Sequence, residues 1–263
     1  MKYSVCIDPF AFDPAVFGTP VDRFVPLMEQ VAEAGFDAFE FWLPGKRDLE
    51  PVRAAKERLG LETAAFCTSF VNLCDARLHD EYLAGLKVAI AQAKRLDCPT
   101  LITQAGWTLE GVPHDLQRAN LVAGLRAAAP LVEASGLTLA VEPLNTHVDH
   151  PGYFLPTCTE GFRLVDEVGS PNVKILFDLY HQQIMEGDLI PSLTRNIGRI
   201  AHFHAAGHPG RHEITTGEIR YEAVFAAIEA TGYAGCVGLE YFPSHDIGTG
   251  LREARKLIGR TRA

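Results

Sequence analysis

The sequence predicts an α/β fold, a single-domain (β/α)8 TIM barrel that spans residues 1–263. Short apolar runs rich in β-branched and aromatic residues alternate with longer amphipathic runs rich in alanine, leucine and charged residues. This alternation is typical of parallel strands joined by crossover helices, and eight such repeats in about 250 residues fit a closed barrel. An open doubly wound sheet usually carries a glycine-rich phosphate turn, and neither GxGxxG nor GxxxxGK(S/T) occurs.

The same patterns predict where the strands and helices lie. A glycine follows most of the helical runs, and its tolerance of the left-handed conformation closes a helix. The predicted strands are Tyr3–Ile7, Ala38–Trp42, Glu62–Cys67, Thr100–Gln104, Thr138–Glu142, Lys174–Asp178, Ile200–His204 and Cys236–Tyr241. The predicted helices are Val21–Ala34, Leu49–Leu59, Asp80–Arg95, His114–Ser135, Cys158–Val168, Leu189–Asn196, Tyr221–Thr231 and Thr249–Ile258.

Composition and charge favour a globular enzyme over a nucleic-acid or membrane protein. Hydrophobic residues make up 47 % of the chain, and 33 acidic against 24 basic side chains give a formal net charge of −9. Nucleic-acid binders usually carry a basic footprint, which this balance does not suggest. No apolar run approaches the roughly 20 residues that cross a bilayer. We therefore expect no nucleic-acid partner and no membrane partner.

The cysteines and the N-terminus predict a cytoplasmic protein. The six cysteines are scattered without CxxC pairs, as expected of free, buried thiols in a reducing compartment. The N-terminal stretch MKYSVCIDPF is interpreted as the first buried strand, because a signal peptide would need a longer apolar region and a cleavage site of small residues.

Ionisable side chains close four consecutive predicted strands. The segments TLAVE, KILFD, IAHFH and CVGLE end in Glu142, Asp178, His204 and Glu240. The carboxyl ends of barrel strands form the active site in this type of fold, so these groups are expected to converge. Charged groups at the ends of buried strands are costly unless paired, and three adjacent carboxylates repel one another. One divalent cation held by all four side chains resolves that conflict.

The donor set indicates which metal fits. Three carboxylates and one imidazole favour Mn²⁺ or Mg²⁺ and also permit Co²⁺. A structural Zn²⁺ site would want more cysteine or histidine.

Two further residues near these strand ends admit two interpretations each. Glu40 closes the second predicted strand, where it fits a substrate contact or a structural ion pair equally well. His202 shares a strand face with His204 and lies one layer below it, which favours a hydrogen-bonded inner histidine over a metal ligand. Ala140 and Gly238 leave room inside the barrel beneath the glutamates.

The second half of the chain carries longer motifs. They are FDLYHQQ (Phe177–Gln183), HFHAAGHPGRHE (His202–Glu213), TGEIRY (Thr216–Tyr221), GLEYFP (Gly238–Pro243), and EPLN (Glu142–Asn145) followed by PGYF (Pro151–Phe154). With these motifs the chain resembles the sugar isomerase/epimerase superfamily with the xylose-isomerase-like barrel, and most of all the hydroxypyruvate isomerase family. The resemblance covers nearly the whole chain.

That resemblance implies roles for individual residues. It implies a metal held by Glu142, Asp178, His204 and Glu240, of which the two glutamates also transfer protons. It implies that His181 and Arg211 contact substrate oxygens. From the sequence, His181 is placed at the start of a loop, with a surface histidine as the alternative. It further implies a homo-oligomer, either a dimer or a tetramer.

The predicted function is therefore a metal-dependent isomerase or epimerase that acts on a small sugar or hydroxyketo acid through an enediolate, most similar to hydroxypyruvate isomerase. The alternative is a ketose 3-epimerase of the D-tagatose/D-allulose type. Hydroxypyruvate isomerases often carry glutamine where His204 stands, whereas the epimerases carry histidine there. The epimerases also carry a glutamate shortly after the strand-five ligand, and the stretch NTHVDHPG contains none.

Other functions are less compatible with the sequence. An abasic-site endonuclease on a similar barrel would need more histidine ligands and a basic surface. A non-catalytic sugar-binding barrel would not need both Glu142 and Glu240. For Arg211, an ion pair with Glu213 or Glu218 is the alternative to a substrate contact.

Overall fold

Eight parallel strands close into a barrel in the computed structural model of the chain, which describes residues 1–14, 18–45 and 48–260. Each strand pairs with the next, and the last pairs with the first. The strands are β1 Lys2–Cys6, β2 Ala38–Phe41, β3 Glu62–Cys67, β4 Thr100–Gln104, β5 Thr138–Glu142, β6 Val173–Asp178, β7 Ile200–Ala205 and β8 Cys236–Leu239. The predicted barrel is thus confirmed, while its extension over all of residues 1–263 as one domain stays a prediction.

Helices cover the outside of the barrel. They are α1 Val21–Glu33, α2 Glu50–Leu59, α3 His79–Leu96, α4 His114–Ser135, α5 Cys158–Val168, α6 Leu179–Met185, α7 Leu189–Asn196, α8 Tyr221–Ala230 and α9 Ile247–Arg260. Several end as their sequences predict, since Gly60, Gly136 and Gly169 follow α2, α4 and α5 in the left-handed conformation.

One helix, α6, was not predicted, because it is short and directly follows a strand. Asp178 ends β6 and also caps α6, since its side chain accepts hydrogen bonds from the backbone N–H groups of Tyr180 and His181. The prediction that a loop begins after Asp178 is therefore wrong, and His181 lies in the first turn of a helix.

The inside of the barrel is divided into an apolar part and a polar part. Small and aliphatic side chains form a buried cluster on one side, comprising Ala65, Cys67, Ile102, Ala140 and Leu176. On the other side, Ser4, Glu40, His202 and His204 are buried and hydrogen-bonded to one another. The predicted inward placement of Ala140 and Gly238 agrees with this arrangement.

Two expectations from composition can be compared with the described residues. The six cysteines are free, and all but Cys236 are buried. Among the described helices, none combines the length and the apolar character that a membrane span requires.

Replacing Gly238 by alanine should destabilise the barrel. The added Cβ would overlap the Glu40 carboxylate and lie 2.9 Å from Cδ2 of His204, and both groups are buried and hydrogen-bonded. We expect the free energy of unfolding to fall by about 1–3 kcal/mol, the usual cost of overpacking. Urea denaturation followed by circular dichroism measures this change.

Gly259→Ala is the matched control, because Gly259 is exposed in α9 and a Cβ there would meet nothing within 4 Å. It should be neutral or stabilise by about 0.5–1 kcal/mol. Equal stability of both variants would contradict the tight packing around Gly238.

Candidate metal centre and active site

The four predicted metal ligands converge at one end of the barrel. Glu142 ends β5, Asp178 ends β6, His204 lies near the end of β7 and Glu240 directly follows β8. All four are buried, and their nearest donor atoms lie within 4.8 Å of one another. β8 ends two residues earlier than predicted, but the backbone N–H of Glu240 still donates to Ala205 O at 3.0 Å, which keeps the residue aligned with β7.

His204 presents an unused ring nitrogen to the carboxylates. Its Nε2 donates to Oε2 of Glu40 at 3.0 Å, so Nδ1 is the ring nitrogen left for a cation, which would take the place of any proton there. Nδ1 lies 3.6 Å from Oε1 of Glu142 and 3.5 Å from Oε2 of Glu240, and it has no hydrogen-bond partner among the described residues. A buried imidazole nitrogen grouped with carboxylate oxygens is a donor set that suits a divalent cation. The residues present therefore fit the predicted metal.

Glu40 holds the imidazole of His204 from inside the barrel. Its Oε2 accepts from Nε2 of both His202, at 2.9 Å, and His204, and its Oε1 accepts from the Ser4 hydroxyl. Burial alone would raise the pKa of Glu40, but the two histidines lower it well below its usual range. Of the two interpretations of Glu40, the structural one fits this geometry. His202 is likewise a hydrogen-bonded inner histidine.

The ionisable groups at the site perturb one another strongly. Burial raises the pKa of Asp178 to about 7. Burial would lower the pKa of His204, but the Glu240 and Glu40 carboxylates hold it well above its ordinary value. The pKa of Glu240 is lowered, because the charges of His204 and Arg211 outweigh its burial. Without a further cation, negative charge is only partly compensated here.

Asp178 has one oxygen occupied and one directed into the site. Oδ1 accepts from the backbone of α6, at 2.7 Å from Tyr180 N and 3.2 Å from His181 N. Oδ2 faces the site, 3.6 Å from Nε2 of His181 and 4.0 Å from Nη2 of Arg211. The helix cap therefore fixes the carboxylate while leaving Oδ2 available to a cation.

His181 is buried beside the ligand set, so the alternative of a surface histidine is wrong. Its Nδ1 accepts from the side-chain amide of Asn145 at 2.6 Å and from the Asn145 backbone at 3.3 Å. Burial and the Arg211 charge lower the pKa of His181 well below its usual value, so the ring is neutral. Its Nε2–H has no hydrogen-bond partner among the described residues and is a donor suited to a substrate oxygen. That contact stays a prediction.

Arg211 is paired with Glu240 rather than with the acidic residues of its own loop. Its Nη2 donates to Oε2 of Glu240 at 2.5 Å, and its guanidinium lies 5.3 Å from the ring centre of Tyr180. Glu213 and Glu218 bind other groups, so the predicted alternative of a loop ion pair is wrong. The Nε of Arg211 is buried without a hydrogen-bond partner among the described residues.

A cavity of about 330 Å³ opens above these groups. Glu142, His204, Glu240 and Arg211 are part of its lining, whereas Asp178 and His181 are not. The remaining lining residues are Phe12, Trp42, Cys67, Phe70, Gln104, Trp107, Leu144, Asp149, His150 and Phe242. The cavity is thus polar at its base and walled by aromatic rings.

Sequence reasoning missed several of these lining residues. Trp42 donates from Nε1 to Oε1 of Glu240 at 2.6 Å, although it lies 198 residues away in the chain. Asp149 and His150 lie in the segment NTHVDHPG, after β5. A strand-face argument points to Trp42, which follows Glu40 by two residues, but the segment around Asp149 offers no such periodicity.

Known proteins with similar sequences include isomerases that match most of the chain. The family model for the xylose isomerase-like TIM barrel matches residues 28–261. The chain is 33 % identical to hydroxypyruvate isomerase of Escherichia coli over 237 residues, covering 87 % of this chain and 92 % of that protein. It is also 33 % identical to 2-oxo-tetronate isomerase of Cupriavidus necator over 248 residues, covering 91 % and 94 %.

Solved structures share the barrel. A structure titled AP endonuclease, family 2, from Brucella melitensis superposes with a TM-score of 0.85 at 31 % identity, covering 95 % of this chain and 97 % of that one. D-psicose 3-epimerase of Clostridium cellulolyticum superposes with a TM-score of 0.81 at 22 % identity, covering 100 % and 98 %, a likeness of fold alone. The predicted resemblance and enzyme class are confirmed, and the chain belongs to the xylose isomerase-like TIM barrel family.

Proposed function

We propose that the chain is a metal-dependent isomerase that interconverts the aldose and ketose forms of a small hydroxyketo acid. Hydroxypyruvate, the compound in the name of one relative, is such an acid. One observation carries the proposal: the unpartnered Nδ1 of His204 lies between the carboxylates of Glu142 and Glu240. This arrangement joins a cation site to two candidate proton-transfer groups in a single cavity.

The metal site is proposed to comprise Glu142, Asp178, His204 and Glu240, with Mn²⁺ or Mg²⁺ preferred and Co²⁺ acceptable. A bound divalent cation would stabilise negative charge that develops on the substrate's carbonyl oxygen. The neighbours of the ligands support this proposal, because Glu40 holds the ring of His204 and the N-terminus of α6 holds the carboxylate of Asp178.

Glu142 and Glu240 are proposed to move the proton. They extend from strands β5 and β8 and flank Nδ1 of His204 from two sides. One carboxylate removes the proton from the carbon next to the carbonyl, which leaves an enediolate. Return of that proton to the neighbouring carbon, with the hydroxyl proton passing from one oxygen to the other, completes isomerisation. Delivery of a proton to the original carbon by the other carboxylate, from the opposite face, gives epimerisation. Trp42 and Arg211 orient Glu240 through its two oxygens.

Arg211 favours a substrate that carries a carboxylate. Its planar guanidinium lines the cavity, and such a fork matches a carboxylate geometrically. Hydroxypyruvate and 2-oxo-tetronate, the compounds in the two relatives' names, are both 2-oxo acids. His181 is proposed to donate from Nε2 to a substrate oxygen.

A ketose 3-epimerase is the second candidate, and Asp149 favours it. NTHVDHPG has no glutamate of the kind that the epimerases carry after the strand-five ligand, but the carboxylate-bearing Asp149 of this segment lines the cavity. An acidic group at that place can accept a hydrogen bond from a sugar hydroxyl.

Solvent-deuterium exchange tests the proposal and separates the two candidates. The enzyme loaded with Mn²⁺, Mg²⁺ or Co²⁺ is incubated in D₂O with hydroxypyruvate, 2-oxo-tetronate, D-tagatose and D-allulose, and products are followed by NMR. We expect metal-dependent exchange with both 2-oxo acids, with an aldehyde formed from hydroxypyruvate and a 3-oxo acid formed from 2-oxo-tetronate. Exchange at C3 of the ketoses alone would favour the epimerase, and no exchange with any compound would contradict both.

We further propose a cytoplasmic homo-oligomer, a dimer or a tetramer. The free, largely buried cysteines suit a reducing compartment. Size-exclusion chromatography with light scattering gives the mass of the assembly, and a mass of 28.8 kDa would contradict the oligomer.

Glu142→Gln and Glu240→Gln should each abolish most turnover. Glutamine keeps the shape and one oxygen donor of glutamate but cannot accept the substrate proton. We expect kcat to fall by about 10²–10⁴-fold, the usual contribution of a positioned acid or base. Glu133→Gln is the control, because Glu133 is exposed on α4 and bonds only Ser170 among the described contacts. Unchanged kcat in either site variant would remove that residue from the mechanism.

Glu40→Gln should weaken metal binding, although Glu40 is not among the residues that line the cavity. The neutral amide oxygen is a weaker acceptor than the carboxylate for the two imidazole N–H groups, so it holds the ring of His204 less firmly. We expect the Kd for Mn²⁺ to rise by about 10–100-fold, the usual effect of losing such a partner. Isothermal titration calorimetry measures it.

Glu62→Gln is the control for that measurement, since Glu62 is exposed at the start of β3 and pairs with Lys2. It should leave the Kd unchanged. An unchanged Kd in Glu40→Gln as well would show that Glu40 does not position His204.

A further inference from the structure

Two loops at the mouth of the barrel are joined by a set of hydrogen bonds. One loop follows β7 and carries Arg211, and the other follows β8 and carries Phe242 and Ser244. The backbone N–H of Phe242 donates to Arg211 O at 2.8 Å, and Nδ1 of His212 donates to Phe242 O at 2.8 Å. His212 and the backbone carbonyl of Arg211 are thus both hydrogen-bonded to the second loop.

Glu213 adds two side-chain hydrogen bonds to this connection. It is fully buried at 0 % exposure, and its Oε1 accepts from Ser244 N at 2.9 Å while its Oε2 accepts from the Ser244 hydroxyl at 2.7 Å. The carboxylate also lies against the first turn of α9, where a Cβ on Gly250 would approach it to 3.3 Å. A buried carboxylate is costly unless such bonds satisfy it, so this contact fixes the two loops relative to each other.

The connection matters because of the backbone at Arg211. This residue has φ = +54°, in the left-handed region that non-glycine residues rarely adopt, so its surroundings must hold it there. Glu213 lies two residues further on, and Glu240, the partner of the guanidinium, lies just before the second loop. Fixing one loop to the other therefore fixes the Arg211–Glu240 pair.

We infer that Glu213 is a positioning residue of the active site, which acts through Arg211 by binding Ser244 and so keeps the guanidinium on Glu240. The inference rests on the proposed function, in which Arg211 binds the substrate and Glu240 transfers a proton. Glu213 itself is not among the residues that line the cavity.

A double-mutant cycle tests the inference. Arg211→Ala, Glu213→Ala and the double variant are assayed for kcat/KM with the substrate found active, in the metal-loaded enzyme. We expect Glu213→Ala to lower kcat/KM by about 10²-fold, because misplacement of a binding group can cost that much. When Arg211 is already alanine, adding Glu213→Ala should not lower kcat/KM any further. Losses that multiply, or an unaffected Glu213→Ala, would overturn the inference.

Asp246→Asn is the matched control, because this carboxylate lies in the same second loop but accepts only from Thr249 of its own helix among the described hydrogen bonds. It should lower stability without lowering kcat/KM.

If Glu213→Ala does not fold, Ser244→Ala removes one of the two hydrogen bonds to Glu213. It should lower kcat/KM by a smaller factor, with the same dependence on Arg211. A loss in Ser244→Ala that persists without Arg211 would overturn the inference.

A crystal structure of Glu213→Ala, or of Ser244→Ala, decides the point independently of turnover. We expect the guanidinium of Arg211 to have left Oε2 of Glu240. A guanidinium still bound there would overturn the inference, even if no substrate were known. Absence of exchange in the wild-type protein would instead contradict the proposed function.

Discussion

The site depends on the balance of charge around His204. Buried carboxylates are costly, and three of them here are compensated in different ways. Glu40 is held by His202 and His204, Asp178 by the N-terminus of α6, and Glu240 by Arg211. The compensation of Asp178 is incomplete, because burial still raises its pKa to about 7. A divalent cation between the carboxylates would complete it, which is why these residues fit a metal.

The strand register makes this convergence possible. Asp178 pairs with His204 across β6 and β7, and His204 pairs with Gly238 across β7 and β8. Because Gly238 has no side chain, the Glu40 carboxylate reaches both histidines through the space beside it. The polar network therefore occupies one side of the barrel, while small and aliphatic residues fill the other. The four predicted metal ligands thus lie beside a hydrogen-bonded network that is centred on Glu40.

The loops, rather than the barrel, decide which substrate fits. Proteins named isomerases, epimerases and an endonuclease share this fold, so the fold by itself does not give the reaction. In this chain the cavity gains Asp149 and His150 from the segment after β5 and Arg211 from the loop after β7. These side chains differ in charge and hydrogen-bonding capacity, and they line the same cavity as Glu142, His204 and Glu240.

The sequence by itself determined the barrel and the residues at its strand ends, because periodicity and glycine positions are local signals. Glu142, Asp178, His204 and Glu240 could be found in this way. The tertiary structure alone decided which groups those residues meet: Glu40 reaches His204 across 164 residues, and Arg211 reaches Glu240 across 29. Such pairings depend on barrel closure and loop packing, which bring together side chains that no local pattern relates.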